Sequence, residues 1–253
     1  MNAKELSSWF DRLLDVPRFE GLDSSQNGLQ VENDGAVLSR VAFAVDACLQ
    51  TIERAAAAGA GMLVVHHGLF WRDPERAVGN HYRRLKALLD ANVALYACHL
   101  PLDAHPALGN NATLAARLAL VDLGPFGEWK GCTVGVRGRF PEPVSLDRAI
   151  ELLCPDGAPL LGLLPFGPDR ISTVAVVSGS GSNELYQALD GHTDLFVTGE
   201  IGHEEYHHAL EGRMSVISLG HYRSETVGVK NLSAALGRET GIETLFIDAP
   251  TGL

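Results

Sequence analysis

Two periods of apolar and polar residues alternate along this chain. "VAFAVDA" (Val41 to Ala47) is a continuous apolar run that predicts a buried strand, and "CLQTIERAAAAG" behind it predicts a helix ended by Gly59 and Gly61. "MLVVHH" predicts the next strand, "NHYRRLKALLDAN" a helix and "VALYACHLPLD" a third strand. "NATLAARLAL" follows as a helix N-capped by Asn110 or Asn111. Ahead of them, "MNAKELSSWFDRLL" carries Leu6, Phe10, Leu13 and Leu14 at helical spacing, a pattern of an amphipathic helix and not of a signal peptide. Strands that alternate with helices argue for α/β units on a largely parallel sheet.

The second half echoes the first. "TVAVVSGSG", "DLFVTGE" and "MSVISLGH" predict strands, separated by the helical "NELYQALDG" and "HEEYHHALEG". "VGVKNLSAALGRE" then predicts a helix and "TLFIDAP" a last short strand. Val45 aligns with Val177 and Val65 with Val197, both at an offset of 132 positions (177 − 45 and 197 − 65). Between the halves, "CTVGVRGRF", "SLDRAIELL" and "PLLGLLPFG" add a strand, a helix and a strand. The glycine- and proline-rich "DLGPFGEWKG" is the expected divide. The expected fold class is therefore α/β, with two similar lobes related by an internal pseudo-repeat. The first spans residues 1–125 and the second 126–253, the C-terminal segment packing back on the first.

Composition narrows the function classes. A chain of 253 residues, 46% of them hydrophobic, can bury a full core. The formal net charge of −11 comes without a basic stripe, and the short "HYRRLK" reads as a solvated helix face, so nucleic acid is not an expected partner. No apolar run is long enough to span a bilayer, so no membrane partner is expected. Cys48, Cys98, Cys132 and Cys154 form no C-x-x-C pair and lie in or beside apolar segments, as reduced cysteines of a cytoplasmic protein do.

The candidate chemistry collects at strand ends, where open α/β sheets bind ligands. Asp46 ends the first strand, His66 and His67 the second, and the third runs into His99 and Asp103. In the second half Glu200, His221 and Glu225 follow strands. His99 and Asp103 are four apart, as are His221 and Glu225, and the offset between the pairs is 122 for both members (221 − 99 and 225 − 103). Two facing halves would bring these pairs together in the cleft between them. Imidazole and carboxylate donors without thiolate suit a divalent ion such as zinc, iron or manganese. His66, His67, His99, Asp103, His221 and Glu225 exceed the needs of one ion, and bridging carboxylates point to two. Each residue alone has a plainer reading: a hydrogen-bonded strand-end histidine, a helix cap at Asp103, a first-turn acid at Glu225. Six donor-type residues at equivalent strand ends outweigh that reading, and His99 is the weakest of them. His81, His105, His192 and His208 have no such context.

Three further stretches admit two readings each. "HEEYH", with His203, Glu204 and His207, matches the H-E-x-x-H pattern of zinc peptidases, but its polar surroundings equally describe a solvated helix face. "SGSGSN" (Ser178 to Asn183) is either a phosphate cradle ahead of a helix or a plain connection. "SSQNGLQVE" places Ser24, Gln26 and Asn27 in a turn that is structural or lies near substrate. Phe70 and Trp71 either wall a pocket or pack the core.

"SSQNGLQVE", "VVHHGLFW", "HLPLDAHPALGNN", "VTGE", "GHYRSE" and the terminal "FIDAP" together resemble the dinuclear metal-centre family of Nif-three-like proteins, the type-2 GTP cyclohydrolase I homologues, over nearly the full chain. The resemblance implies two α/β lobes with a two-metal site between them and a toroidal homohexamer, a trimer of dimers. It implies His66 and Asp103, His67 and His221 as metal ligands, with His66 and His67 on different ions and Glu225 bridging both. His99 would be an extra ligand or lie just behind the ligands. The H-E-x-x-H pattern is not part of the family's signature, which weakens the peptidase reading, and Tyr222 varies while the spacing to Glu225 is kept.

The expected function is a protein holding two divalent metals that hydrolyses a nucleotide-like or other small molecule, with Glu200 or His99 moving the proton. The alternatives are a non-catalytic metal-binding, storage or scaffold protein, and zinc-peptidase activity through His203, Glu204 and His207.

Overall fold

The computed structural model describes residues 1–73 and 75–253. The chain opens with α1 (Ala3–Leu13), where Asn2 and Glu5 form a reciprocal capping box and Leu6 and Phe10 are fully buried. Then come β1 (Gly28–Val31), β2 (Arg40–Asp46), α2 (Leu49–Ala57), β3 (Met62–His67), α3 (Gly79–Asp90) and β4 (Ala94–Ala97). A single helical turn, α4 (Leu100–Asp103), leads to α5 (Asn110–Arg117). The hairpin β5 (Val121–Trp129) and β6 (Cys132–Val144) precedes α6 (Leu146–Leu153), β7 (Gly162–Leu164) and β8 (Ile171–Val177). The last elements are α7 (Leu185–Asp190), β9 (Leu195–Thr198), α8 (Glu205–Glu211), β10 (Ser215–Ser218), α9 (His221–Thr240) and β11 (Glu243–Phe246).

These elements form two compact units. The first contains Met1–Leu102 and Val229–Ala249, and the second Asp103–Gly228 and Pro250–Leu253. The first is built on a five-stranded sheet of order β1-β4-β3-β2-β11, in which β2, β3, β4 and β11 are parallel and β1 is antiparallel. Its central strands are apolar on both faces, as a parallel sheet covered by helices requires, and Val64, Val65 and Leu95 are fully buried. The second unit carries a six-stranded sheet of order β5-β6-β8-β9-β10-β7, whose β8, β9 and β10 are parallel. Its core gathers Leu114, Phe140, Ala149, Val176, Val197 and Ile217.

The pseudo-repeat is visible in strand register. Val41 pairs with Met62 and Val174 with Leu195, so the partner lies 21 positions onward in both sheets (62 − 41 and 195 − 174). The expectations differ from the structure in several places. "DLGPFGEWKG" is not a linker, because β5 begins at Val121 and pairs antiparallel with β6 through Trp129. Pro125 fits there because β5 is an edge strand, with no neighbour on its other side among the described residues. Residues 103–125 lie in the second unit, whereas the divide was expected at 125/126, and 229–249 lie in the first, where β11 pairs with β2 and where the C-terminal segment was expected to pack. The third predicted strand stops at Ala97, and "LPLD" turns into α4. Finally, α9 starts at His221, six residues before the expected start at Val227, so His221 and Glu225 are an i, i+4 pair on one helix. Among the described residues no helix is long and apolar enough to cross a membrane.

Candidate metal centre

In the first unit the two histidines stand at the end of β3, and the chain leaves the strand at Gly68. His66 is fully buried and His67 half-buried. Their rings are tilted by 50° with centroids 4.6 Å apart, and the ring of His99, just past β4, lies 5.1 Å from His66 and 5.7 Å from His67. One ring nitrogen from each of the three falls within 4.8 Å of the others.

Every one of these rings is held by Nδ1. His66 Nδ1 donates to the Cys98 carbonyl oxygen at 2.9 Å, His67 Nδ1 to Asp46 Oδ1 at 2.8 Å, and His99 Nδ1 to Asp23 Oδ1 at 2.9 Å. An oxygen that can only accept fixes the proton on Nδ1 and puts the lone pair of the neutral ring on Nε2. Asp23 is the most heavily engaged acceptor: it also receives the Ser25 and Leu100 backbone N–H groups and the Asn27 amide. Burial would raise its carboxyl, but the His99 hydrogen bond and charge, with Asn27 and Ser25, outweigh burial and hold the pKa at about 2.

"SSQNGLQVE" is the scaffold of this cluster. Asn27 also accepts the His99 backbone N–H at 2.7 Å. Gln26 donates to the Trp71 carbonyl oxygen at 3.0 Å. Gln30 accepts from Leu69 and Phe70 and donates to the Gln26 and Phe70 carbonyls, which ties the turn after the histidines to β1. Gly68 permits this approach, since a Cβ there would stand 2.4 Å from Gln30 Oε1 and 2.6 Å from the Ala97 Cβ. Trp71 stands against the cluster, 5.3 Å from the His99 ring and 6.3 Å from His67, whereas Phe70 packs edge-on to His81 at 5.2 Å.

In the second unit the donors gather at the end of β8. Buried Asp103 accepts at Oδ1 from the Asn110 amide at 2.8 Å and from the Ser178 hydroxyl at 3.1 Å. Asn110 and Asn111 were expected to cap α5. Gly109 takes that position instead, and both asparagines are buried. The residue after Ser178, Gly179, lies against buried Glu225: a Cβ on it would be 2.2 Å from Glu225 Oε1 and 3.3 Å from His221 Nε2. "SGSGSN" thus gives its glycine to a close approach beside two candidate ligands. His221 stands between two carboxylates, with Nδ1 2.5 Å from Glu200 Oε1 and Nε2 3.2 Å from Glu225 Oε1. Glu225 does most, burial opposes it and Glu200 adds to it, raising the imidazole to a pKa of about 9.

The sequence-predicted residues are therefore distributed as His66, His67 and His99 in the first unit and Asp103, Glu200, His221 and Glu225 in the second. Glu200, expected as a proton shuttle, is bonded to His221 and orients that ring. Asp23, Gln30, Asn110 and Ser178 were missed as site residues. Gln30, Asn110 and Ser178 fall within the polar stretches named above and Asp23 just before one, but no periodicity marks any of them, because their partners follow no fixed spacing. The H-E-x-x-H geometry does not form: α8 begins at Glu205, leaving His203 and Glu204 outside the helix, and His203, Glu204 and His207 are exposed.

The donor set fits a divalent metal on its own chemistry. Imidazoles whose second nitrogen is fixed by a carbonyl or carboxylate, with buried carboxylates braced by hydrogen bonds, are the arrangement that metal-binding side chains adopt.

Comparison with known proteins gives a consistent picture. The sequence model of the Duf34/NIF3 (NGG1p interacting factor 3) proteins matches residues 1–252. A protein of Treponema pallidum named GTP cyclohydrolase 1 type 2 homolog is 45% identical over 286 residues, covering all of both chains. One of Pyrococcus abyssi with the same name is 44% identical over 255 residues, again with full coverage of both. The crystal structure of TTHA1606 from Thermus thermophilus superimposes with a TM-score of 0.90 at 43% identity over the full length of both chains.

Proposed function

The chain belongs to the Duf34/NIF3 family, and on that premise we propose that it binds two divalent metal ions and hydrolyses a small, nucleotide-like molecule. His66, His67, Asp103, His221 and Glu225 would hold the ions, with His66 and His67 serving different ions. The observation that carries this reading is the common anchoring of four imidazoles, His66, His67, His99 and His221, each at Nδ1 and each by an oxygen acceptor. Four such anchors make Nε2 the donor atom in every ring, and they come from four different parts of the chain. Zinc, iron and manganese all suit these donors.

Bound ions would supply Lewis acidity and make water acidic enough to deprotonate near neutral pH. The chain's own residues do the rest. Asp46, Asp23, Glu200 and the Cys98 carbonyl hold the rings in one tautomer and orientation, so little reorganisation accompanies binding. To hold an ion, His221 would have to release the Nε2 proton that faces Glu225 Oε1 at 3.2 Å. His99, backed by the carboxylate of Asp23, moves a proton to or from the substrate. Trp71 shields the His67 and His99 rings from water on one side. The nucleotide-like substrate is supported by the name of the curated relatives, GTP cyclohydrolase 1 type 2 homolog. A homohexamer is the proposed assembly.

The test is metal analysis of the purified chain together with a hydrolysis screen of nucleotides and related metabolites on metal-loaded protein. About two equivalents of metal per chain are expected, falling in His67→Ala and in Glu225→Ala. Turnover that Glu225→Ala abolishes supports the hydrolase. Unchanged metal content in both variants overturns the site, and a fully loaded chain without turnover leaves a metal-binding protein that is not a hydrolase.

A further inference from the structure

We propose that Asn110 and Ser178 are positioning residues that make Asp103 a one-oxygen metal ligand. The inference rests on the reading of Asp103 as a ligand and goes beyond it by assigning the function of its two carboxylate oxygens.

Two hydrogen bonds fall on one oxygen of Asp103. Asn110 Nδ2 donates to Asp103 Oδ1 at 2.8 Å and Ser178 Oγ donates to it at 3.1 Å. A carboxylate oxygen that already accepts two bonds has little lone-pair density left for a cation, so Oδ1 is closed to a metal contact. The carboxylate is also prevented from rotating into a two-oxygen grip, because doing so would strip both donors of their acceptor in a buried site.

The orientation of the Asn110 amide is not arbitrary. Its Oδ1 accepts the backbone N–H of Gly228 in α9 at 2.8 Å. An N–H group can only donate, so the oxygen of the amide must face α9 and the nitrogen must face Asp103. Asn110 is fully buried and both ends are engaged. It therefore ties Asp103 to the helix that carries His221 and Glu225. Ser178 is braced in the same way: its backbone N–H donates to Asn111 Oδ1 at 2.7 Å, while the Asn111 amide donates to the Val134 carbonyl oxygen at 2.7 Å. The adjacent asparagines thus act together on Oδ1 of Asp103: Asn110 as a donor to it and Asn111 by bracing the other donor, Ser178. Their buried position and polar character, which look wasteful at the first turn of a helix, are accounted for by this function.

The experiment titrates the metal-free full-length chain with Co2+ and with Zn2+, in the wild type and in Asn110→Ala, Ser178→Ala, Ser178→Thr and Asp103→Ala. In Asn110→Ala and Ser178→Ala we expect one of the two equivalents to bind roughly 10–100-fold more weakly, the range for removing a residue that orients a ligand, with the other unchanged. The visible absorption of bound Co2+ should weaken as Asp103 spreads to two oxygens and the coordination number rises. Ser178→Thr, which keeps the hydroxyl, should restore affinity and spectrum. Circular dichroism checks folding; should Asn110→Ala not fold, the two Ser178 variants decide. Wild-type affinity and spectrum in Ser178→Ala, or a loss that Ser178→Thr does not relieve, overturns the inference. Retention of both equivalents by Asp103→Ala instead overturns the ligand assignment beneath it, so the two failures are told apart.

Discussion

Gly179 and Glu225 stand so close that a single methyl group on the glycine would lie 2.2 Å from Glu225 Oε1. Gly179 also has a φ of +63°, where an L-residue costs about 1–2 kcal/mol by backbone strain alone. Gly179→Ala should therefore lower the melting temperature and, by pushing the carboxylate of Glu225 aside, strip the chain of bound metal. Metal content and thermal unfolding of the purified variant check both; a variant with full metal content would contradict the placement of Glu225 among the ligands.

The raised pKa of His221 makes a pH prediction for the metal-free chain. Its value is about 9 in the folded protein against an ordinary 6.5, through Glu225 first and Glu200 after it, with burial opposing. The charged ring therefore contributes stability that is fully present below about pH 6.5 and is lost as the pH rises through about 9. Metal affinity should run the other way, rising with pH over the same window, because the ion displaces the Nε2 proton. Thermal unfolding with a chelator, and Zn2+ titrations at several pH values, measure the two trends. Glu200→Gln should flatten both.

Asp23 has the opposite sign. Its folded pKa of about 2 lies below the ordinary 3.8, so its contribution is present above about pH 3.8 and disappears as the pH falls through about 2. Asp23→Ala removes the acceptor of four hydrogen bonds, two of them from backbone N–H groups. We expect a loss of roughly 2–4 kcal/mol in urea unfolding and a freely rotating His99, visible as an altered imidazole resonance by NMR.

Gly68→Ala should destabilise the turn after the paired histidines, since the new methyl would meet both Gln30 and Ala97. Gln30→Ala leaves the N–H groups of Leu69 and Phe70 without their side-chain acceptor. Both variants should lose roughly 1–3 kcal/mol, and urea denaturation of each reads the change.

His203→Ala and His207→Ala should leave metal content unchanged, because both side chains are exposed and His203 lies outside α8. Metal loss in these two variants with full retention in His66→Ala would revive peptidase chemistry.

Much of this architecture was legible along the chain. "MLVVHH" reads as a buried strand with two ligand-type residues at its end, and β3 runs over Met62–His67. The glycine- and proline-rich "DLGPFGEWKG" was not legible as β5, because its strand character depends on β6 lying alongside as a partner. The same limit applied to "HLPLDAH": its apolar spacing suits a strand, and only the bonds from Asn27 to His99 and from Asn110 to Asp103 accompany the turn into α4.

The sequence by itself determined the alternation of strands and helices, the internal repeat and the kinds of donor atom at the strand ends. These follow from backbone periodicity and side-chain chemistry, which neighbouring residues set between them. The tertiary structure decided which nitrogen of each imidazole is held and by what. Asp46 reaches His67 across 21 positions and Asp23 reaches His99 across 76. Such pairs have no periodicity to reveal them, because it is the folding of distant segments onto one sheet end that brings an acceptor to each ring.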